Sequence, residues 1–205
     1  ISDNNSSKDL TARLQTSYVF KGAGALREDA NAFIWRQSGK RTYGDSEYDR
    51  VREGVGFRVT KNNIRISGEY IRADGMVPAG PNPPVVPASG NLELPYNLNL
   101  APKGKADGWY LEGGWRFHPK WEIEARYDVF DRNDNDAAAQ RLFKTWTLGG
   151  QYFINKTTRM TLNYEWREAE VPNPLAITNA IQRNNANIIA DNLGDRASLQ
   201  LTWMF

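Results

Sequence analysis

The sequence has no cysteine in 205 residues, which excludes a disulfide framework and a thiolate metal site. It holds a single histidine, His118, in the turn "FHPK". A rim turn followed by proline is a poor seat for the base of a Ser–His–acid hydrolase, and no second imidazole is available. No stretch approaches the ~18 apolar residues of a membrane-spanning helix. The opening "ISDNNSSKDL" lacks a basic n-region and an apolar h-region, so a leader is expected to have been removed, or the chain to begin downstream of one. A formal charge of +2 makes no case for nucleic acid or an anionic surface.

What is present is alternation. Mean hydropathy is −0.65, yet aromatics reach 12% with seven tryptophans, and apolar residues recur at every second position. "ASLQLTWMF" at the end of the chain sets Leu199, Leu201, Trp203 and Phe205 against Ser198, Gln200, Thr202 and Met204. "MTLNYEW" (160–166), "TWTLGGQYF" (145–153), "WEIEARYDV" (121–129), "WYLEGGWRF" (109–117), "IRISGEY" (64–70), "RVREGVGFRV" (50–59) and "LTARLQTSYVF" (10–20) repeat the pattern. With 25–36, where "LREDA" interrupts the apolar face, this predicts about nine strands near the ~10-residue length of a tilted membrane strand.

The connections alternate between two kinds. "KGAG" (21–24), "TKNN" (60–63), "HPK" (118–120) and "INKT" (154–157) are tight, whereas about 37–49, 74–105, 131–141 and 170–194 read as long polar loops. Neither 78–87, "PAGPNPPVVP", nor the Asn-rich 179–192 can supply a strand. Short turns at one end and long loops at the other mark an outer-membrane barrel with periplasmic turns and extracellular loops. Aromatics divide into two bands beside those ends. Trp115, Phe117, Trp121, Tyr152, Trp203 and Phe205 are the girdle assigned to the short-turn side; Trp35, Tyr48, Tyr70, Trp109, Phe143, Tyr164 and Trp166 fall toward the long loops. The fold class is therefore all-β, an antiparallel transmembrane β-barrel, with residues 1–205 a single barrel region. Nine is an odd count, and single-chain bacterial barrels are even. The expectation is a C-terminal part of a larger barrel, with a complete eight- or ten-stranded barrel as the alternative and a soluble β-sandwich as the rival at fold level.

The segments "DGWYLEGGWRFHPKWEIEARYDVFDRNDND", "RLFKTWTLGGQYFINKTTRMTLNYEW" and "DRASLQLTWMF" resemble the C-terminal strands of the phosphate-selective porin O and P family. The resemblance covers about 106–205 well and 45–73 loosely. It implies about sixteen strands, a homotrimer, and diffusion of small anions, phosphate in some members. It also implies a bacterial outer-membrane location in a Gram-negative envelope, with lipid and lipopolysaccharide as surroundings. It implies no cofactor and no enzyme activity.

On that reading the polar face lines a lumen. Arg50, Arg52, Arg58, Arg65, Arg116 and Arg126 are the candidates for anion attraction, joined on the same face by Arg13, Arg159, Arg167 and Arg196. They stand against Glu69, Glu112, Glu122, Glu124, Asp128 and Glu165. Arginine suits the task because its charge is permanent and its planar fork grips oxyanions in pairs. Arg50, Arg52, Arg58 and Arg65 have fewer acids on their own strands, while Arg116, Arg126 and Glu124 read as a paired cluster. The competing reading is that all these groups pair across strands and merely keep the face polar. "DRNDND" (131–136) echoes a calcium loop but has Asp136 where glycine belongs and Leu142 where the final glutamate belongs. It is read as a solvated loop, so no metal site and no catalytic residue is assigned. A passive porin is the leading function. A plugged or partner-docking scaffold barrel is the alternative, and an outer-membrane hydrolase stands third.

Overall fold

The computed structural model describes residues 8–23, 27–79 and 100–203. Its strands are β1 (Leu10–Lys21), β2 (Glu28–Tyr43), β3 (Ser46–Lys61), β4 (Ile64–Asp74), β5 (Val77–Pro78), β6 (Leu100–Ala101), β7 (Lys105–His118), β8 (Trp121–Arg132), β9 (Arg141–Phe153), β10 (Thr158–Glu170) and β11 (Arg196–Trp203). Nine of them form one antiparallel sheet in the order β1-β2-β3-β4-β7-β8-β9-β10-β11, while β5 and β6 pair separately. The nine expected strands are thus present, each hydrogen-bonded to its neighbour in that order. The sheet is open, with β1 and β11 at its edges.

Register makes the sheet two-faced. The pairs Leu14↔Ile34, Ile34↔Val55, Val55↔Tyr70, Tyr70↔Trp109, Trp109↔Val129, Val129↔Lys144 carry one face from β1 to β9. Leu148↔Tyr164 and Tyr164↔Ala197 continue it to β11. Because side chains alternate with period 2, a one-residue slip in any pair would send arginines to the apolar side. The apolar face is exposed: Leu14 is 70% accessible, Leu162 58%, Leu199 70% and Trp146 56%. Among the described residues the buried hydrophobics are few (Met76, Val77, Ala106, Ile177), and none lies beneath this face. A sandwich would bury it against a second sheet; no such layer exists among the described residues.

At one end the connections are short. Asn62 and Asn63 both take positive φ, 49° and 65°, the geometry of a two-residue hairpin turn that suits strand twist. At the other end loops bridge β4 to β7, β8 to β9 and β10 to β11. The last contains a 3-10 turn (Pro174–Ala176) and helix α1 (Ala180–Asp191), whose N-cap Asn179 accepts from the amides of Ile181 and Gln182. The Asn-rich segment therefore supplies no strand, as expected, but a capped helix instead.

One loop differs from expectation. Residues 37–49 do not form a long loop: β2 and β3 pair from Asp29↔Thr60 out to Tyr43↔Ser46 and close on Gly44–Asp45. Gly44 sits at φ 60°, which glycine adopts without strain. The polar composition that suggested a loop (Gln37, Lys40, Arg41, Thr42) belongs to a hairpin extending past the apolar band.

Candidate functional site

Three aromatics assigned to a band, Trp35, Tyr48 and Phe143, lie instead on the polar face, as does Phe153. Trp35 packs over Gly54 and donates from Nε1 to Glu69 Oε1 at 2.6 Å. Tyr48 is register partner of Arg41, and Phe143 stacks on Phe130 with centroids 6.0 Å apart. Phe153 lies under the Arg116 guanidinium at 4.0 Å. Each ring has a cation, a carboxylate or a second ring on the polar side, and these partners compete with lipid for it.

The remaining rings pair along the apolar face. Near the short turns are Trp121–Tyr152 at 4.7 Å and Trp115–Phe117 at 5.7 Å. Trp203 pairs in register with Thr158, and Phe205 lies outside the described residues. Near the long loops are Trp109–Tyr127 at 5.6 Å, Tyr127–Trp146 at 4.7 Å and Tyr164–Trp166 at 4.8 Å. Two tyrosines anchor their tips to acids there, Tyr70 to Asp107 and Tyr164 to Asp195, each at 2.9 Å. An apolar ring body with a wet hydroxyl is the arrangement a water–hydrocarbon boundary selects. From Trp109 to Phe117 the strand runs about 27 Å along its axis, about 20 Å of height at the ~40° tilt of a barrel strand, within the ~25 Å apolar band of an outer-membrane barrel. Beyond the upper rings the same face turns ionic, with Arg36–Glu53 at 3.2 Å and Lys144–Glu170 at 2.5 Å.

On the polar face, glycines decide which charges meet. Gly114 on β7 has no side chain, so Arg65 reaches from β4 across it to three acids: Glu124 at 3.0 Å, Glu112 at 3.1 Å and Glu122 at 3.5 Å. A Cβ on Gly114 would stand 3.1 Å from Glu122 Oε1 and 3.5 Å from Arg65 Nη2. Gly149 makes room in the same way for Glu124 and Asn163. Of the two "GG" pairs, the members on the polar face thus admit neighbours, as strand glycines do. Arg116 completes the cluster by donating to Glu122 Oε2 at 3.1 and 3.2 Å.

The six candidate arginines are therefore in four different situations. Arg65 and Arg116 neutralise carboxylates. Arg50 meets Asp9 at 3.1 Å, and Arg126 stacks 4.2 Å above the Tyr110 ring with Asp128 at 3.6 Å. Arg52 donates to the carbonyls of Val51, Gly75 and Met76 at 2.6, 2.9 and 3.0 Å, tying the β4–β5 bend to β3. Arg58 is the most open, its side chain 53% exposed and its one acid among the described residues, Asp29, at 3.9 Å. The grouping by acids on the same strand separates Arg65 from Glu124, yet the structure joins them. Arg13, outside the leading six, lies 4.1 Å over the Phe33 ring and donates to Gln15.

His118 Nδ1 accepts from the Lys120 amide at 3.2 Å, a turn contact. In "DRNDND" Asn135 accepts from the Lys105 amide and Asp136 from those of Ala138 and Ala139. Among the described residues no cluster of acids, histidines or cysteines could hold a metal ion.

A nine-stranded antiparallel sheet with an exposed apolar face banded by aromatics and an ionic polar face has the two-faced build found in outer-membrane proteins, and it is open in this structure. The family model described as "Phosphate-selective porin O and P" matches residues 87–184, so the resemblance carried by the β7–β10 motifs is borne out over that stretch. No curated protein matches. Among solved structures, the anion-selective porin from Comamonas acidovorans is similar at TM-score 0.50 and 13% identity, over 77% of this chain and 39% of that one. OmpT of Vibrio cholerae, in-vitro folded, is similar at TM-score 0.44 and 14% identity, over 76% of this chain and 53% of that one. The chain thus spans about two-fifths of the length of the Comamonas porin it resembles.

Proposed function

We propose that this chain is part of the wall of an outer-membrane porin, in which small hydrophilic solutes diffuse passively through a water-filled lumen lined by the polar face. The reading is of a channel, with no catalytic step. The observation that carries it is the continuous two-faced register from β1 to β11, which sorts hydrocarbon and charge to opposite sides over nine strands. The open edges of β1 and β11 call for further strands, because unpaired edge groups cannot face hydrocarbon. The family resemblance supports about sixteen strands and a trimer, with short turns periplasmic, long loops extracellular and lipopolysaccharide around the outer leaflet.

Anions such as phosphate are the favoured solutes. Support comes from the phosphate selectivity in the family's name and from the anion selectivity of the Comamonas porin. Within this chain it comes from Arg58, whose guanidinium is open to the face it lines. Conductance of the full-length protein in planar bilayers tests the channel, since a plugged scaffold passes no stepwise current. Reversal potentials test selectivity: Arg58→Gln should lower the preference for anions over cations. An unchanged reversal potential would remove Arg58 from the path.

A further inference from the structure

On the polar face β9 carries two threonines, Thr145 and Thr147, and the register sets a charge on either side of each. Asp128 of β8 and Arg167 of β10 both pair with Thr145, while Arg126 of β8 and Glu165 of β10 both pair with Thr147. Signs therefore alternate along the strands and across them, and each row spans two strand spacings, roughly 10 Å between the flanking Cα atoms. These residues line a hollow of about 450 Å³, room enough for a small solute. Beyond it helix α1 folds over the polar face, against Arg141 and Phe143.

The two rows differ in how far their charges are already satisfied. In the Thr147 row Arg196 donates to Glu165 at 2.7 Å, and the Arg126 guanidinium lies 4.2 Å over the Tyr110 ring. In the Thr145 row Asp128 meets Arg126 Nε at 3.6 Å, longer than a hydrogen bond. Arg167 donates to the carbonyls of Gly194 and Leu193 at 2.9 and 3.1 Å. Both acceptors are neutral, and the guanidinium has further N–H donors and its full charge to offer an anionic group. A carboxylate and a guanidinium held apart by a hydroxyl complement a solute that carries both charges. A lone anion would gain Arg167 but meet the like charge of Asp128, and a lone cation the reverse. We propose that Asp128, Thr145 and Arg167 bind a small zwitterion with the head of an α-amino acid. Its ammonium donates to Asp128, and its carboxylate accepts from Arg167 and from the Thr145 hydroxyl. The proposal rests on the porin reading, which brings this face into contact with passing solutes, and adds a second solute class to the anions drawn by Arg58.

The test is titration of the full-length protein in detergent micelles with L-alanine at constant ionic strength, read by saturation-transfer NMR of the ligand. Propionate lacks the ammonium, ethylammonium lacks the carboxylate, and glucose is a neutral polyol; these three are the comparison solutes. Saturable alanine binding is expected, with each comparison solute at least tenfold weaker. Asp128→Asn should weaken alanine at least tenfold and let propionate bind as well as alanine does. Arg167→Gln should weaken alanine equally and raise ethylammonium to the same level. Such exchanges of preference do not arise from a loss of fold. Thr145→Val, which keeps both charges, should weaken alanine several-fold, and Lys61→Gln, beside the short turn at the other end of β3, should change nothing. Absence of saturable alanine binding would overturn the proposal, as would propionate, ethylammonium or glucose bound as tightly as alanine by the unaltered protein, or an unchanged preference in both charge variants. Alanine binding without stepwise conductance would fail the porin reading alone; conductance without alanine binding would fail this inference alone.

Discussion

Arg58 and Arg65 stand on neighbouring strands of one face, yet their surroundings assign them opposite roles. Arg65 holds three carboxylates, so its removal leaves Glu112, Glu122 and Glu124 mutually repelling around Arg116. Arg65→Gln should destabilise the fold by about 1–3 kcal/mol, measured by denaturant unfolding in micelles, whereas Arg58→Gln should leave stability within about 0.5 kcal/mol and act on selectivity. Gly54 is as constrained as any charge: a Cβ there would stand 2.6 Å from Trp35 Nε1 and 3.0 Å from the Tyr70 carbonyl. Gly54→Val should therefore cost about 1–3 kcal/mol and, by displacing Trp35 from Glu69, shift the tryptophan emission. Wild-type stability and spectrum would refute that packing. These pairings were illegible in sequence for a physical reason. Acids on one strand can be counted, but Arg65 meets acids on two other strands because Gly114 lets it lie across β7, a fact of register and not of composition.

At the scale of the element, alternation located eight strands well, because lipid on one side and polar groups on the other enforce period 2 over the full length of each. It failed for β2 and β3 beyond the aromatic band. There the hairpin has both faces in a polar setting, so its residues read as loop although they are paired. Helix α1 was unreadable as a helix, its only clear signal being the Asn179 cap. The segment before β1 is fastened to that extended hairpin by Asp9, which receives Arg41 through two bonds of 2.8 Å and Gln37 through a third. The Arg41 hydrogen bond, foremost, holds the Asp9 carboxyl below its ordinary value of 3.8. A depressed carboxylate stabilises above the unfolded value and loses that contribution as pH falls through the folded one. The clasp should therefore be intact at neutral pH and released in acid below 3.8, and Asp9→Asn should release it at neutral pH. Hydrogen exchange at the hairpin tip reads both; protection unchanged by either would contradict the clasp.

For the whole molecule, the sequence made the two faces legible, since they follow from bathing a sheet in two solvents. Lumen chemistry was less legible, since glycine placement and the helix folded over the polar face depend on neighbours far apart in the chain. If hydrocarbon bathes the apolar face, a charge placed at mid-strand there must be costly. Leu111→Arg should destabilise the protein by about 2–4 kcal/mol in bilayers, whereas Ser67→Arg on the opposite face should be far milder. Equal costs for the two would place both faces in one solvent.

The most direct measurement uses two single-tryptophan variants of the full-length protein in bilayers containing brominated lipid. Trp146, 56% exposed on the apolar face, should be strongly quenched, whereas Trp35, bonded to Glu69 on the polar face, should respond weakly to bromine and be reached by aqueous iodide instead. Strong quenching of Trp35 by brominated chains, with Trp146 open only to iodide, would contradict the account.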